Sequence, residues 1–136
     1  MTVEATLTWT DGWQFVGRAG DGPAIVIDSH DGGGGPSPMD LVLMGVAGCT
    51  AIDIVLVLEK KRIAFDGFEV HISGERADEH PKRYTSVHVE YVLKGTGIKP
   101  KAVERAIELS ETKYCSAIAS INAEVTSSYK IVEPDA

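Results

Sequence analysis

The segment from Gly32 to Lys61, GGGGPSPMDLVLMGVAGCTAIDIVLVLEKK, constrains the fold more than any other part of the chain. Between Leu41 and Leu58 it is apolar almost throughout, and it has about the minimum length of a membrane span. Asp53 sits inside it, Gly45 and Gly48 interrupt it, no second run of the kind exists, and its flanks carry strand-like patterns. A helix that is apolar all round is more simply one buried all round. A chain of 136 residues has little to cover it with, so a second copy of the chain is expected to share the burial. Ser37 is a good N-cap and Pro38 a good first helical residue. Asp40 falls in the first turn, where the helix dipole favours an acid, and Lys60, Lys61 and Arg62 fall at the end, where it favours cations. The helix is therefore predicted from Pro38 to about Arg62.

Short alternating runs surround it. In EATLTWT, Ala5, Leu7 and Trp9 separate from Thr6, Thr8 and Thr10, which is a strand pattern. Asp11–Gly12 is a hairpin signal, WQFVGRAG reads as the returning strand and DGPAIVIDS as a third. After the helix, Phe68, Val70 and Ile72 alternate with Glu69, His71 and Ser73. Val87, Val89, Tyr91 and Leu93 then face together, so the two runs read as an antiparallel pair with one wet face. From Ile98 onward an amphipathic helix carries Val103, Ala106, Ile107, Ser110 and Tyr114 on one stripe. CSAIASIN reads as a short extra helical turn, AEVTSSYKIVE as a closing strand and PDA as a tail. The order β-β-β-α-β-β-α-β predicts a single α+β domain over residues 1–136.

The net charge of −7, spread over scattered acids, argues against nucleic acid and anionic membrane as partners. The start of the chain has no basic segment followed by an apolar one, so no signal peptide is read and the cytoplasm is the expected compartment. There the only two cysteines, Cys49 and Cys115, are either two small buried hydrophobes or a redox pair.

His30, His71, His80 and His88 have no metal-ligand spacing, and no metal is expected. His71 and His88 are placed to face each other across the strand pair, as a solvated pair. Gly32–Gly35 precedes a helix N-terminus but lacks the Lys-Ser/Thr of a phosphate loop, and reads as a flexible connector. Cys49 and Asp53 differ in kind, because at i and i+4 they share one helical face. A buried carboxylate needs a partner, so Asp53 is expected either to be anchored by an Arg, a Thr or a backbone N–H or to face a cleft. A carboxylate one turn away disfavours a thiolate, so Asp53 is no activator of Cys49. A reactive Cys49 needs a cation nearby. Arg18 is the only basic residue before the long helix.

The blocks SPMDLVLMGVAGCTAIDIV and SETKYCSAIASI, taken together, resemble the OsmC/Ohr family of thiol-dependent peroxidases. The shared features are a Ser-Pro start to a long helix, a small-small-Cys about three turns in, and a second Cys after the second helix. The wording around both cysteines is most similar to the YhfA-like branch.

The resemblance implies an intertwined homodimer with the two long cysteine helices buried at its centre, where Gly45 and Gly48 permit close approach. It implies that Cys49 attacks the O–O bond of an organic hydroperoxide and becomes a sulfenic acid. Cys115 would resolve it to a disulfide, and a dithiol reductant, a lipoyl protein or a small thiol, would reset the pair. No cofactor enters the scheme. Family members bracket the attacking thiol with an arginine and a glutamate. Arg18 is the candidate for the arginine, to favour the thiolate and steady the oxyanion. The glutamate of the family's Pro-Glu is Met39 here, and Asp40 lies one residue on, about 100° around the helix. Asp40 and Asp53 are the acids left to support the site, Asp53 by pairing with Arg18. The competing reading is a non-catalytic module that holds an apolar ligand in the dimer pocket.

Overall fold

A computed structural model describes residues 1–134, and the last two residues of the expected tail, Asp135 and Ala136, lie outside the described residues. The chain divides into two compact units, Met1–Val42 and the remainder from Leu43 on.

In the first unit, β1 (Ala5–Asp11), β2 (Gln14–Ala19) and β3 (Ile25–Ile27) form an antiparallel sheet in chain order. The hairpin turns at Gly12, whose φ of +55° suits a residue without Cβ. The glycine run is a packed loop and not the loose connector that composition suggests. It wraps the buried carboxylate of Asp28, which accepts backbone N–H groups from Ser29 at 2.6 Å and Gly34 at 3.1 Å. A Cβ on Gly35 would stand 2.6 Å from the carbonyl oxygen of Val26, so the chain passes there only as glycine.

Helix α1 (Pro38–Lys60) starts where the sequence places it. Ser37 and Asp40 close a reciprocal cap, the Asp40 N–H donating to Ser37 Oγ at 3.1 Å and the Ser37 N–H to Asp40 Oδ2 at 3.0 Å. The helix stops two residues before the expected Arg62. Arg62 turns left-handed at φ 56°, its N–H donates to Glu59 O at 3.0 Å and the Ile63 N–H to Leu58 O at 3.0 Å. That double closure ends the helix although the sequence holds no glycine there.

In the second unit, β4 (Gly67–Arg76), β5 (Tyr84–Lys94) and β6 (Glu124–Val132) form a sheet in the order β4-β5-β6. β4 and β5 are antiparallel with the expected wet face, and β5 and β6 are parallel. A parallel pair needs a long crossover. Helix α2 (Pro100–Leu109), a π-helical turn at Ser110–Tyr114 and helix α3 (Ser116–Ala119) supply it. The core takes Val87, Val89, Tyr91 and Leu93 from β5, Val103, Ala106 and Ile107 from α2, and Val46, Thr50, Ile54 and Leu58 from α1. His71 pairs in register with Glu90 and His88 with Ser73, so the two histidines are not opposite one another. His71 instead bonds Glu69, and His88 bonds Thr126 and Ser128.

By length and composition α1 is apolar enough to cross a membrane, yet one stripe of it is core in a mixed α+β fold. Of its most apolar window 22% is buried within the chain, and Val42, Met44, Ile52 and Leu56 stay exposed. The all-round burial read from the sequence is therefore not supplied by one copy.

Candidate functional site

Cys49 and Asp53 project from one face of α1, as their spacing requires. Cys115 reaches them through the irregular end of α2. The Cys115 N–H donates to Ser110 O at 2.7 Å, a bond spanning five residues, which widens the turn. The widening brings Cys115 inward with Ser110 and turns Tyr114 out: Ser110 and Cys115 are buried, whereas Tyr114, expected on the buried stripe, is 49% exposed. Cys115 then caps α3, its Sγ accepting the Ile118 N–H at 3.3 Å.

The result is a three-membered cluster. The sulfurs of Cys49 and Cys115 and a carboxylate oxygen of Asp53 all lie within 4.8 Å of one another. Both thiols are free. Cys49 is half-buried and Cys115 is 5% exposed. Burial pushes the Cys115 thiol up from 9.0 to about 11, the Ile118 N–H opposes the rise, and the neighbouring Cys49 adds to it. Cys115 is thus a protonated thiol at neutral pH. Two thiols and a carboxylate are also a donor set for a thiophilic divalent ion, formed here without any of the histidines.

Asp53 finds its partner in Ser110, whose hydroxyl donates to Oδ2 at 2.9 Å. Beneath the cluster lies Tyr91 of β5, fully buried, its hydroxyl donating to Glu111 Oε2 at 2.9 Å. Burial holds the Tyr91 phenol above its ordinary range, while the Thr50 hydroxyl beside it pulls the other way. Ser110, Thr50, Tyr91 and Glu111 are the residues that sequence reasoning missed. Ser110 had a legible signal: a serine on an apolar stripe is a buried polar group, and such a group needs a partner.

Of the cluster, Asp53 also lines a groove of about 390 Å³ with Leu56, Val57, Leu109 and Tyr114, and Lys60 and Lys61 stand on its walls. The other two candidates belong to the first unit. Arg18 is exposed on β2, paired with Thr6 in register, and lines a second hollow with Thr8, Thr10, Val16 and Asp21. Asp40 is engaged in the cap of α1, nine residues before Cys49 on the same helix.

Comparison with known proteins gives a consistent answer. Residues 30–130 match the family model described as OsmC-like protein. The chain is 36% identical over 132 residues to Protein YhfA of Escherichia coli strain K12, covering 96% of this chain and 98% of that one. A hypothetical protein from Aquifex aeolicus VF5 superposes with a TM-score of 0.82 at 29% identity, over 96% of this chain and 98% of that one. The organic hydroperoxide resistance protein OsmC of Legionella pneumophila superposes with a TM-score of 0.69 over 96% of this chain and 97% of that one. At 19% identity this last likeness speaks for the fold alone.

Proposed function

The chain belongs to the OsmC-like family, and on that premise we propose that it is a thiol-dependent peroxidase that reduces organic hydroperoxides. The observation that carries this reading is the approach of two free thiols, from separate elements, to within 4.8 Å. A disulfide requires the two sulfurs to close further, to about 2.05 Å.

The roles follow from exposure. Cys49, the more accessible sulfur, attacks the distal oxygen of the hydroperoxide, releases the alcohol and becomes a sulfenic acid. Cys115, buried and protonated, is the resolving thiol. A dithiol, a lipoyl protein or a small thiol, then reduces the disulfide. The apolar groove beside Asp53 suits the organic part of the substrate. Arg18, exposed on β2, is the candidate that the family pattern offers for the cation of this chemistry. No cofactor is needed, and the reducing cytoplasm suits a cycle that returns to two thiols.

The working unit in this reading is a homodimer of single-domain chains. The exposed Met44, Ile52 and Leu56 support it, as do Gly45 and Gly48, where an added Cβ would meet nothing of its own chain within 4 Å. A second reading, a non-catalytic module that binds an apolar ligand, draws on the same groove and on Met39 where the family has glutamate.

The test is reduction of cumene hydroperoxide, tert-butyl hydroperoxide and hydrogen peroxide, with dithiothreitol or dihydrolipoamide as donor, beside Cys49→Ser. Turnover that prefers the organic peroxides and disappears with the serine is expected. Equal consumption by the variant overturns the assignment and moves the protein to the second reading.

A further inference from the structure

The inference here rests on the reading of Cys49 and Cys115 as attacking and resolving thiols, and concerns the step between them. Resolution requires Cys115 to lose a proton as its sulfur attacks, and Cys115 is the buried member of the pair. Its titratable neighbours are few. Among the described residues these are Cys49 and Asp53 from α1 and Tyr91 from β5, and Asp53 shares its groove with Lys60, Lys61 and Tyr114. Tyr91 donates its hydroxyl proton to Glu111, so those two groups satisfy each other. Asp53 is the carboxylate that remains, with an oxygen within 4.8 Å of both sulfurs. It is also held. The Ser110 hydroxyl fixes Oδ2, and the same residue's carbonyl accepts the backbone N–H of Cys115, so one residue anchors both acid and thiol.

We propose that Asp53 is the proton acceptor of the resolving step. Its carboxylate takes the Sγ proton of Cys115 while the sulfur's electron pair forms the S–S bond to Cys49. The S–O bond of the Cys49 sulfenic acid breaks, and the departing hydroxide takes the proton back from Asp53 and leaves as water. The carboxylate is regenerated, and the only oxidant is the hydroperoxide consumed in the first step.

The experiment mixes reduced wild type and Asp53→Asn with one equivalent of cumene hydroperoxide and quenches with time. Sulfenic acid is trapped with dimedone and disulfide is followed by intact mass. The amide keeps the shape of Asp53 and can still accept from Ser110. Asp53→Asn is expected to close its disulfide about 10²-fold more slowly than wild type, the scale of one positioned base, with dimedone-reactive Cys49 accumulating. Solvent hydroxide replaces the missing base as pH rises, so the deficit should shrink between about pH 7 and pH 10. At equilibrium with oxidised dithiothreitol both proteins should reach the same disulfide fraction. Closure at the wild-type rate overturns the proposal, and so does a deficit that is constant with pH, which marks displaced thiols. A wild type that forms neither sulfenic acid nor disulfide overturns the peroxidase reading itself. One that forms both, beside an Asp53→Asn that closes normally, removes only the role of Asp53.

Discussion

Cys115 keeps its proton because it is buried at the end of a π-helical turn, and that has a cost in alkali. Burial raises its thiol from 9.0 to about 11. Between those values the folded chain holds a proton that the unfolded chain has lost. The contribution of Cys115 is thus fully present below about pH 9 and is lost as pH climbs through 11. Tyr91, also raised by burial, acts in the same direction at higher pH. Wild type is therefore expected to lose urea resistance more steeply from pH 9 to pH 11 than Cys115→Ala, measured by far-UV circular dichroism; equal slopes would show that Cys115 is not the titrating group. At this scale both cysteines were legible as words in a motif. The bond from Ser110 to Asp53 was not, because it joins side chains from two helices that only tertiary packing brings together. The sequence announced that Asp53 needs a partner without saying which.

The start of α1 could be read from four residues, since a cap is local chemistry between Ser37 and Asp40. Its end could not, because the closing residue is Arg62, which takes a conformation that glycine takes more readily. A side chain in the left-handed region costs on the order of 1 kcal/mol. Arg62→Gly should accordingly raise stability by roughly 0.5–1 kcal/mol in chemical denaturation; a destabilised variant would mean that the guanidinium makes up more than the backbone loses. The opposite change is expected at Gly35, where a new methyl would press on the Val26 carbonyl of a paired strand. Gly35→Ala should cost about 1–3 kcal/mol, the range of overpacked sites, and an unaltered melting temperature would show that the loop gives way. The π-helical turn was likewise hidden: SETKYC continues the pattern of a regular helix, and only the buried Cys115 and exposed Tyr114 betray the slip.

For the molecule as a whole, the open question is apolar surface. Met44 is 49% and Ile52 63% exposed on α1, and Leu7, Trp9, Trp13, Ile25 and Val26 are exposed in the first unit. A soluble monomer rarely leaves so much uncovered, and rows of this kind mark an interface. The excess was legible in the sequence, since a helix apolar all round in so short a chain cannot be covered from within. Which surface covers it was not, because one sequence carries no record of its partner. If a second copy does, the stripe of α1 centred on Gly45 and Gly48 lies at the contact, and a charge placed there must be desolvated without a counter-ion. The double variant Met44→Glu, Ile52→Glu is therefore expected to run as a monomer in light scattering where wild type runs as a dimer. Its melting temperature should fall and should lose the concentration dependence expected of a dimeric wild type. Neither residue belongs to the buried stripe of Val46, Thr50, Ile54 and Leu58, so the core of the second unit is left intact and its secondary structure should persist. A double variant that stays dimeric would move the interface off α1, to the exposed face of the β1-β2-β3 sheet.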